Sequence, residues 1–471
     1  MAYQPLIRTE KHALRCDASV QADCVRTVAE YRRLVRALAG IIFVHLDELR
    51  SASSKCFAVE RLFHATRDHP SPRYALVDRM FHKFPSYLRR AAIEAAFGAV
   101  SSFVANYTRW QSGMRTQRQA RPPSFARALA VNPPLYGGQC VVWGDGYASA
   151  SLKVLRADGR WGWTPQLALK GKLKRLLGDQ HNALSPSLLV TGSQALLACP
   201  VEMRRPKRVA NDVVCGVDLG INTGATCAIV DSAGTVRARE FIACARHNDR
   251  LDRTAHQIRR RAEHTLGPLR QGPAGPDGKR PKPKRPGQLG PGFCRTLYRR
   301  VRGLNQAAAQ ALADGIVAFA QAQGATAVVF ENLKGFRPKG HRGQGARREN
   351  LRQRFHRWLH RLVVQRATFK LEELGLKVVQ VHPRGTSAWA YDGSGEVSRD
   401  KENYALCTFA SGKRYNADLN AALNIAARYI AKMLGVSPGD RPACTHGKSS
   451  EVQSRMPIVL ADIWRHAGAP I

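Results

Sequence analysis

Acidic residues are scarce: 35 Asp and Glu stand against 74 Lys and Arg in 471 residues, a formal charge of +39. A chain so unbalanced repels itself unless a polyanion joins it, and nucleic acid is the usual polyanion. The basic residues are spread along the whole chain and not gathered on one amphipathic helix, which ranks a membrane-surface role well below. Paired cysteines are missing as well. The eleven cysteines form no CxxC pair, which excludes a disulfide scaffold and an ordinary zinc ribbon and suits a reducing cytosol. Long apolar runs are absent: ALAGIIFVHL (37–46) is too short to span a bilayer. The N-terminal MAYQPLIRTEKHALRC lacks the apolar core of a signal peptide. A soluble protein of the prokaryotic cytosol or nucleoid is expected.

What is present divides into two halves. Residues 4–15 read as one strand. From about 21 to 110 the apolar spacing is helical, as in YLRRAAIEAAFGAVSSFVANYTRW, and the basic RTQRQARPPSF (115–125) closes that block. Residues 126–205 then read as short strands and turns. The simplest assembly is a small β-barrel domain, begun by the first strand and interrupted by a helical insertion. RRPKRVAND (204–212) is a basic linker. After it, VVCGVDLG, GATCAIV and TVRAREFIA form a three-strand meander, a long helix covers 293–323, and TAVVFENL (326–333) is a strand. A helix over 351–375, the strand LKVVQVHP (376–383) and the helix NADLNAALNIAARYIAKML (416–434) follow. That element order is α/β and of the ribonuclease-H type. The stretch 267–292, dominated by glycine, proline and lysine, reads as a disordered basic loop.

Asp218 sits in the apolar strand VVCGVDLG (213–220), where a carboxylate must be paired, protonated or metal-bound. Glu331 ends the apolar run AVVFE, and Asp418 falls in the first turn of the last of these helices, with Asn416 as its cap. Each alone has a plain reading: a turn carboxylate, a strand-end charge, an acid favoured by the helix dipole. In a ribonuclease-H fold the three converge and repel unless divalent cations neutralise them. Hard oxygen donors favour two Mg²⁺ or Mn²⁺ ions. Such a pair, about 3.5–4 Å apart, activates water and stabilises the leaving oxygen in phosphodiester hydrolysis.

GVDLGINTGATCAIV, VVFENLKGF and RYNADLNAALNIAARY resemble the three split RuvC motifs of TnpB, the transposon-encoded RNA-guided nuclease, and equally those of compact type V CRISPR effectors. The resemblance covers the C-terminal half by motif and the N-terminal half only by architecture. It implies Asp218, Glu331 and Asp418 as catalytic, metal-binding acids. It also implies a guide RNA, double-stranded target DNA and its displaced single strand as partners, with a short flanking DNA motif read by the protein. With the element order, it divides the chain into a first strand of a wedge-like β-domain (1–18), a helical recognition lobe (19–120) and the rest of the wedge (121–207). Two RuvC-like motifs (208–383), a degenerate ribbon or lid (384–415), the third motif helix (416–436) and a C-terminal tail (437–471) complete it.

One departure from the family is clear. Where the family carries a four-cysteine zinc ribbon, this chain has Ala390, Gly393 and Ala410, and only Cys407 remains. One thiolate makes no structural zinc site, so a zinc-free lid held by Trp389, Tyr391 and Phe409 is expected. Arg414, Lys334 and Arg337 are candidate nucleic-acid contacts near the acids, the last opening the glycine- and arginine-rich run 336–350. His356 and His360 read as phosphate-facing or solvated. Tyr31, Phe81, Phe84, Tyr87, Tyr107 and Trp110 suit core packing better than base stacking. The intact acid triad favours cleavage over an RNA-guided repressor that binds without cutting. The large basic N-terminal half disfavours a guide-free nuclease of the same fold.

Overall fold

In a computed structural model of the full chain, the described residues are 5–114, 130–171, 182–204, 212–266, 289–333, 359–438 and 457–468. Residues 122, 124, 173 and 206 are added, and 193, 221, 222, 244, 291, 401 and 404 are excepted. Lys334, Arg337, His356, the run 336–350 and nearly all of the 267–292 loop lie outside them. The chain divides into two units, Met1–Arg204 and Arg205–Ile471.

The first unit opens with strand β1 (Leu6–Arg15) and the helix α1 (Ala18–Val44), which starts where the Asp17 side chain accepts a hydrogen bond from Val20 N. Helices α2 (Leu46–Ser51), α3 (Lys55–Phe63), α4 (Ala75–Met80) and α5 (Ser86–Gln111) follow. Then come strands β2 (Val141–Trp143), β3 (Ser149–Leu155), β4 (Trp161–Trp163), β5 (Leu167–Lys170), β6 (Asn182–Ala183), β7 (Ser187–Thr191) and β8 (Gln194–Met203). All eight strands join one antiparallel sheet in which β1 lies between β5 and β8, so the opening strand is enclosed only after the helices have been made. Helices and sheet share one core, in which Tyr31, Leu34, Phe63, Leu88, Leu152 and Leu197 are buried. Thr27 Oγ1 accepts from Leu155 N at 2.8 Å, fastening α1 to β3. Phe81 and Phe84 are in this core too, whereas Tyr87 and Tyr107 are 40% and 37% exposed.

The second unit begins with the meander β9 (Val214–Asp218), β10 (Ala225–Val230) and β11 (Val236–Ile242). A helix the sequence reading leaves unassigned, α6 (Ala245–Leu266), comes next. It buries only the stripe Leu251, Thr254, Ile258 and Ala262. The helix α7 (Arg295–Ala322) leads into β12 (Ala327–Glu331), and α8 (His360–Glu373) into β13 (Lys377–Val381). Short strands β14 (Ser398–Arg399), β15 (Leu406–Thr408) and β16 (Arg414–Asn416) form a separate antiparallel sheet before α9 (Ala417–Leu434). Within the C-terminal tail, α10 (Leu460–His466) docks through buried Leu460, Ala461 and Ile463. The main sheet has the order β11-β10-β9-β12-β13, antiparallel across the meander and parallel from β9 through β13. Each face has its own layer: α7 and α8 cover Cys215, Val217, Val328 and Phe330, and α9 covers Val214, Ala228 and Val329. No helix of the described residues is long and apolar enough to cross a membrane.

Candidate active site

Strand parity decides which side chains reach the site. Val214 lies on the α9 face, so by the two-residue period Gly216 and Asp218 do too. On β12, Ala327 and Val329 face α9 and Glu331 follows them. Because Phe330 pairs with Val217 in parallel register, Glu331 and Asp218 end neighbouring strands side by side.

The third acid arrives on α9. Asn416 caps that helix, its Oδ1 accepting from Leu419 N at 2.8 Å, and Gly435 ends it in the left-handed region at φ 72°. Gly216 lets the helix lie close on β9: a Cβ there would stand 2.2 Å from the Ala422 carbonyl oxygen and 2.8 Å from Ala426 N. A Cβ on Gly220 would stand 3.5 Å from Asp418 Oδ2. The helix therefore runs antiparallel to β9. Two residues up the strand from Gly216 is about 6.6 Å, and four residues back along α9 from Ala422 is about 6 Å. Asp418 thus comes level with Asp218.

The electrostatics follow. Burial holds the Asp218 carboxyl well above the usual carboxylate range, and the charges of Glu331 and Asp418 push it the same way, against smaller opposing effects of Arg399 and the Leu219 N–H. Glu331 is also raised by burial, opposed by a hydrogen bond from Thr386 and by the Arg428 guanidinium. Arg428, whose hydrogen bonds go to the His382 and Arg384 carbonyls, is lowered by burial to about 10 despite Glu331. Thr223 Oγ1 donates to Asp418 Oδ2 at 3.1 Å. Thr226, opposite Asp218 in the β9–β10 register, is 1% exposed, and its hydroxyl has no hydrogen-bond partner among the described residues.

An oxygen-only donor set in which burial and neighbouring charge oppose ionisation of Asp218 suits a hard divalent cation. Among the described residues, however, no three His, Cys, Asp or Glu side chains stand close enough to hold one ion in common. Glu331 and Asp418 act on Asp218 through the low-dielectric interior without the three forming a closed ligand cage.

The expectations for His360 and Trp389 need correction, and Arg414 gains a partner. Arg414 is turned to Asp400, 3.3 Å away, with its side chain 67% exposed, because β16 carries it to the rim of the small sheet. The cation whose charge is felt at Asp218 is Arg399, on β14. His360 is not solvated: it is half-buried, burial pushes its imidazole down, and it hydrogen-bonds the Glu331 backbone. Trp389 does not pack into the small sheet but against Val459, Ala461 and Trp464. That sheet is held by Tyr391, Phe409, Tyr415 and buried Cys407. Lys413 Nζ lies 5.1 Å from the Tyr391 ring, 5.3 Å from Tyr415 and 6.0 Å from Phe409, and donates to Tyr391 Oη at 2.9 Å. The residues the sequence reading passes over are Thr386, Asn420, Asn424 and Arg428. Their only signal is the polar i, i+4, i+8 spacing of the last three on a helix otherwise rich in alanine and leucine.

The Aq_aa04 family matches residues 8–156. No curated protein matches the chain. Among solved structures, the chain is similar to a Cas12f1–sgRNA–target DNA complex, with 15% identity, 89% of this chain and 98% of that one covered, and a TM-score of 0.32. It is similar to the mini-RNA-guided endonuclease CRISPR-Cas_phi3, with 12% identity, coverage of 93% and 94%, and a TM-score of 0.46. It is also similar to Alicyclobacillus acidoterrestris C2c1 in complex with single-guide RNA, with 11% identity, coverage of 86% and 69%, and a TM-score of 0.41.

Proposed function

We propose that the chain is an RNA-guided DNA endonuclease of the compact type V and TnpB kind, with a RuvC-like, ribonuclease-H-type centre. The observation that carries this reading is the placement of Asp218, Glu331 and Asp418 on one face of the β9–β12–α9 layer, where Glu331 and Asp418 raise the cost of the Asp218 charge. Two Mg²⁺ or Mn²⁺ ions would supply an activated water and a Lewis acid at the leaving oxygen. The residues of the chain hold and neutralise. Asp218, Glu331 and Asp418 would hold the ions, and Thr223 and Thr386 would fix the orientation of the Asp418 and Glu331 carboxylates. The +39 charge of the chain would hold the guide RNA, the target duplex and the displaced strand. Base pairing would supply sequence choice.

The test starts from the RNA that copurifies with the protein when its native genomic flanks are present. A discrete RNA with a constant scaffold and a variable end defines a target, and Mg²⁺-dependent cutting of that target is the expected activity. Asp218→Ala should abolish cutting and leave binding intact. Absence of cutting by the parent protein with either Mg²⁺ or Mn²⁺ would refute the enzyme reading. The spacing of the acids beyond common ligation among the described residues favours one second reading, guided DNA binding without cleavage, which predicts that outcome.

A further inference from the structure

Glu331 and Asp418 both bear on Asp218 yet stand on different elements, a strand and a helix that pack through apolar residues. Something must fix their separation, and the loop 382–391 between β13 and the small sheet is fastened to do so. Asn420 takes both sides of it: its Nδ2 donates to the Trp389 carbonyl at 2.9 Å, and its Oδ1 accepts from Tyr391 N at 2.8 Å. One turn on, Asn424 Nδ2 donates to the carbonyls of Thr386 at 2.9 Å and Trp389 at 2.8 Å. With two carbonyl acceptors, only the amide nitrogen can face them. Another turn on, Arg428 holds the His382 and Arg384 carbonyls. Asn420 and Asn424 are fully buried, and a buried amide left unpaired is costly, so the loop cannot drift along α9.

Thr386 is the point where this ladder reaches the acids. It is 2% exposed, its carbonyl is held by Asn424, and its hydroxyl faces both Glu331 Oε1 and the Pro383 carbonyl, the latter at 3.0 Å. The hydroxyl has one proton, and the charged acceptor is the stronger. We infer that Thr386 is a positioning residue: through the Asn420–Asn424–Arg428 ladder it ties the Glu331 carboxylate to α9, the helix that carries Asp418, and so fixes where that carboxylate stands to meet a divalent cation. This rests on the acid centre being a metal site.

Mn²⁺ binding to the purified protein, followed by the paramagnetic resonance of free Mn²⁺ and independent of cleavage, tests it. Thr386→Val keeps the shape and removes the proton. It should weaken Mn²⁺ binding about 10-fold, as loss of an outer partner of a metal ligand does. Thr386→Ser should stay within about twofold of the parent, because the hydroxyl is kept. Cutting by Thr386→Val should recover at high Mg²⁺, which a purely structural defect would not allow. Unchanged Mn²⁺ affinity in Thr386→Val overturns the inference. Should that variant not fold, Arg428→Lys keeps the charge near Glu331 but cannot span both loop carbonyls, and several-fold weaker Mn²⁺ binding is again expected, parent affinity again overturning it. Failure of the underlying reading looks different: the parent would bind no Mn²⁺, or Asp218→Asn would bind it as tightly as the parent, and both proposals would fall.

Discussion

Gly216→Ala should break the site without touching an acid. A Cβ there would sit 2.2 Å from the Ala422 carbonyl oxygen, 2.8 Å from Ala426 N and 2.9 Å from Ala426 Cβ. An ordinary contact is about 3.5 Å, so helix and strand must part by about 1.3 Å. Two of the three obstacles are backbone atoms, which no rotamer change removes, and trimming Ala426 to glycine would relieve only the third. Overpacking of this kind costs about 1–3 kcal/mol. The larger effect is on chemistry: α9 carries Asp418, and a shift of about 1 Å at a reacting group costs on the order of 100-fold in rate. Chemical denaturation measures the first, and single-turnover cutting of a guided target at saturating Mg²⁺ the second. A variant of parental stability that cuts at the parental rate would refute the close approach of α9 to β9, and with it the levelling of Asp418 with Asp218.

Further expectations concern charge and the lid. Asp218 and Glu331 have folded pKa values raised above their unfolded ones, so between the two the folded state binds the extra proton and stability falls as pH rises. In chelator the melting temperature should therefore decline from about pH 4 toward neutrality, Asp218→Asn should flatten that decline, and Mg²⁺ at neutral pH should raise the melting point of the parent only. Lys413→Met removes a cation from three rings at a cost of about 0.5–1 kcal/mol. Hydrogen exchange should quicken in β14–β16, while melting of the whole chain barely changes. A zinc chelator should leave that exchange unaltered, and faster exchange on chelation would contradict a lid held by Lys413 and its rings.

The sequence by itself determined whatever is local. The apolar runs ending at Asp218 and Glu331 mark strands because burial on both faces needs uninterrupted apolar residues. Asn416 and Gly435 mark the ends of α9 because a cap and a left-handed glycine act within one turn. The α6 stripe was legible too, but its three apolar positions and one threonine are diluted by six arginines. What the tertiary structure decided is which turn of α9 lies against which pair of β9. That depends on a missing Cβ at Gly216 meeting Ala422, 206 residues on by the numbering, and no periodicity encodes such a match. The same holds for Thr386 on Glu331, for His360 on the Glu331 backbone, and for the Arg399 charge felt at Asp218. Side-chain type sets what each residue can do. Packing across long stretches of chain sets whom it meets, because only there do burial and mutual charge fix one partner over another.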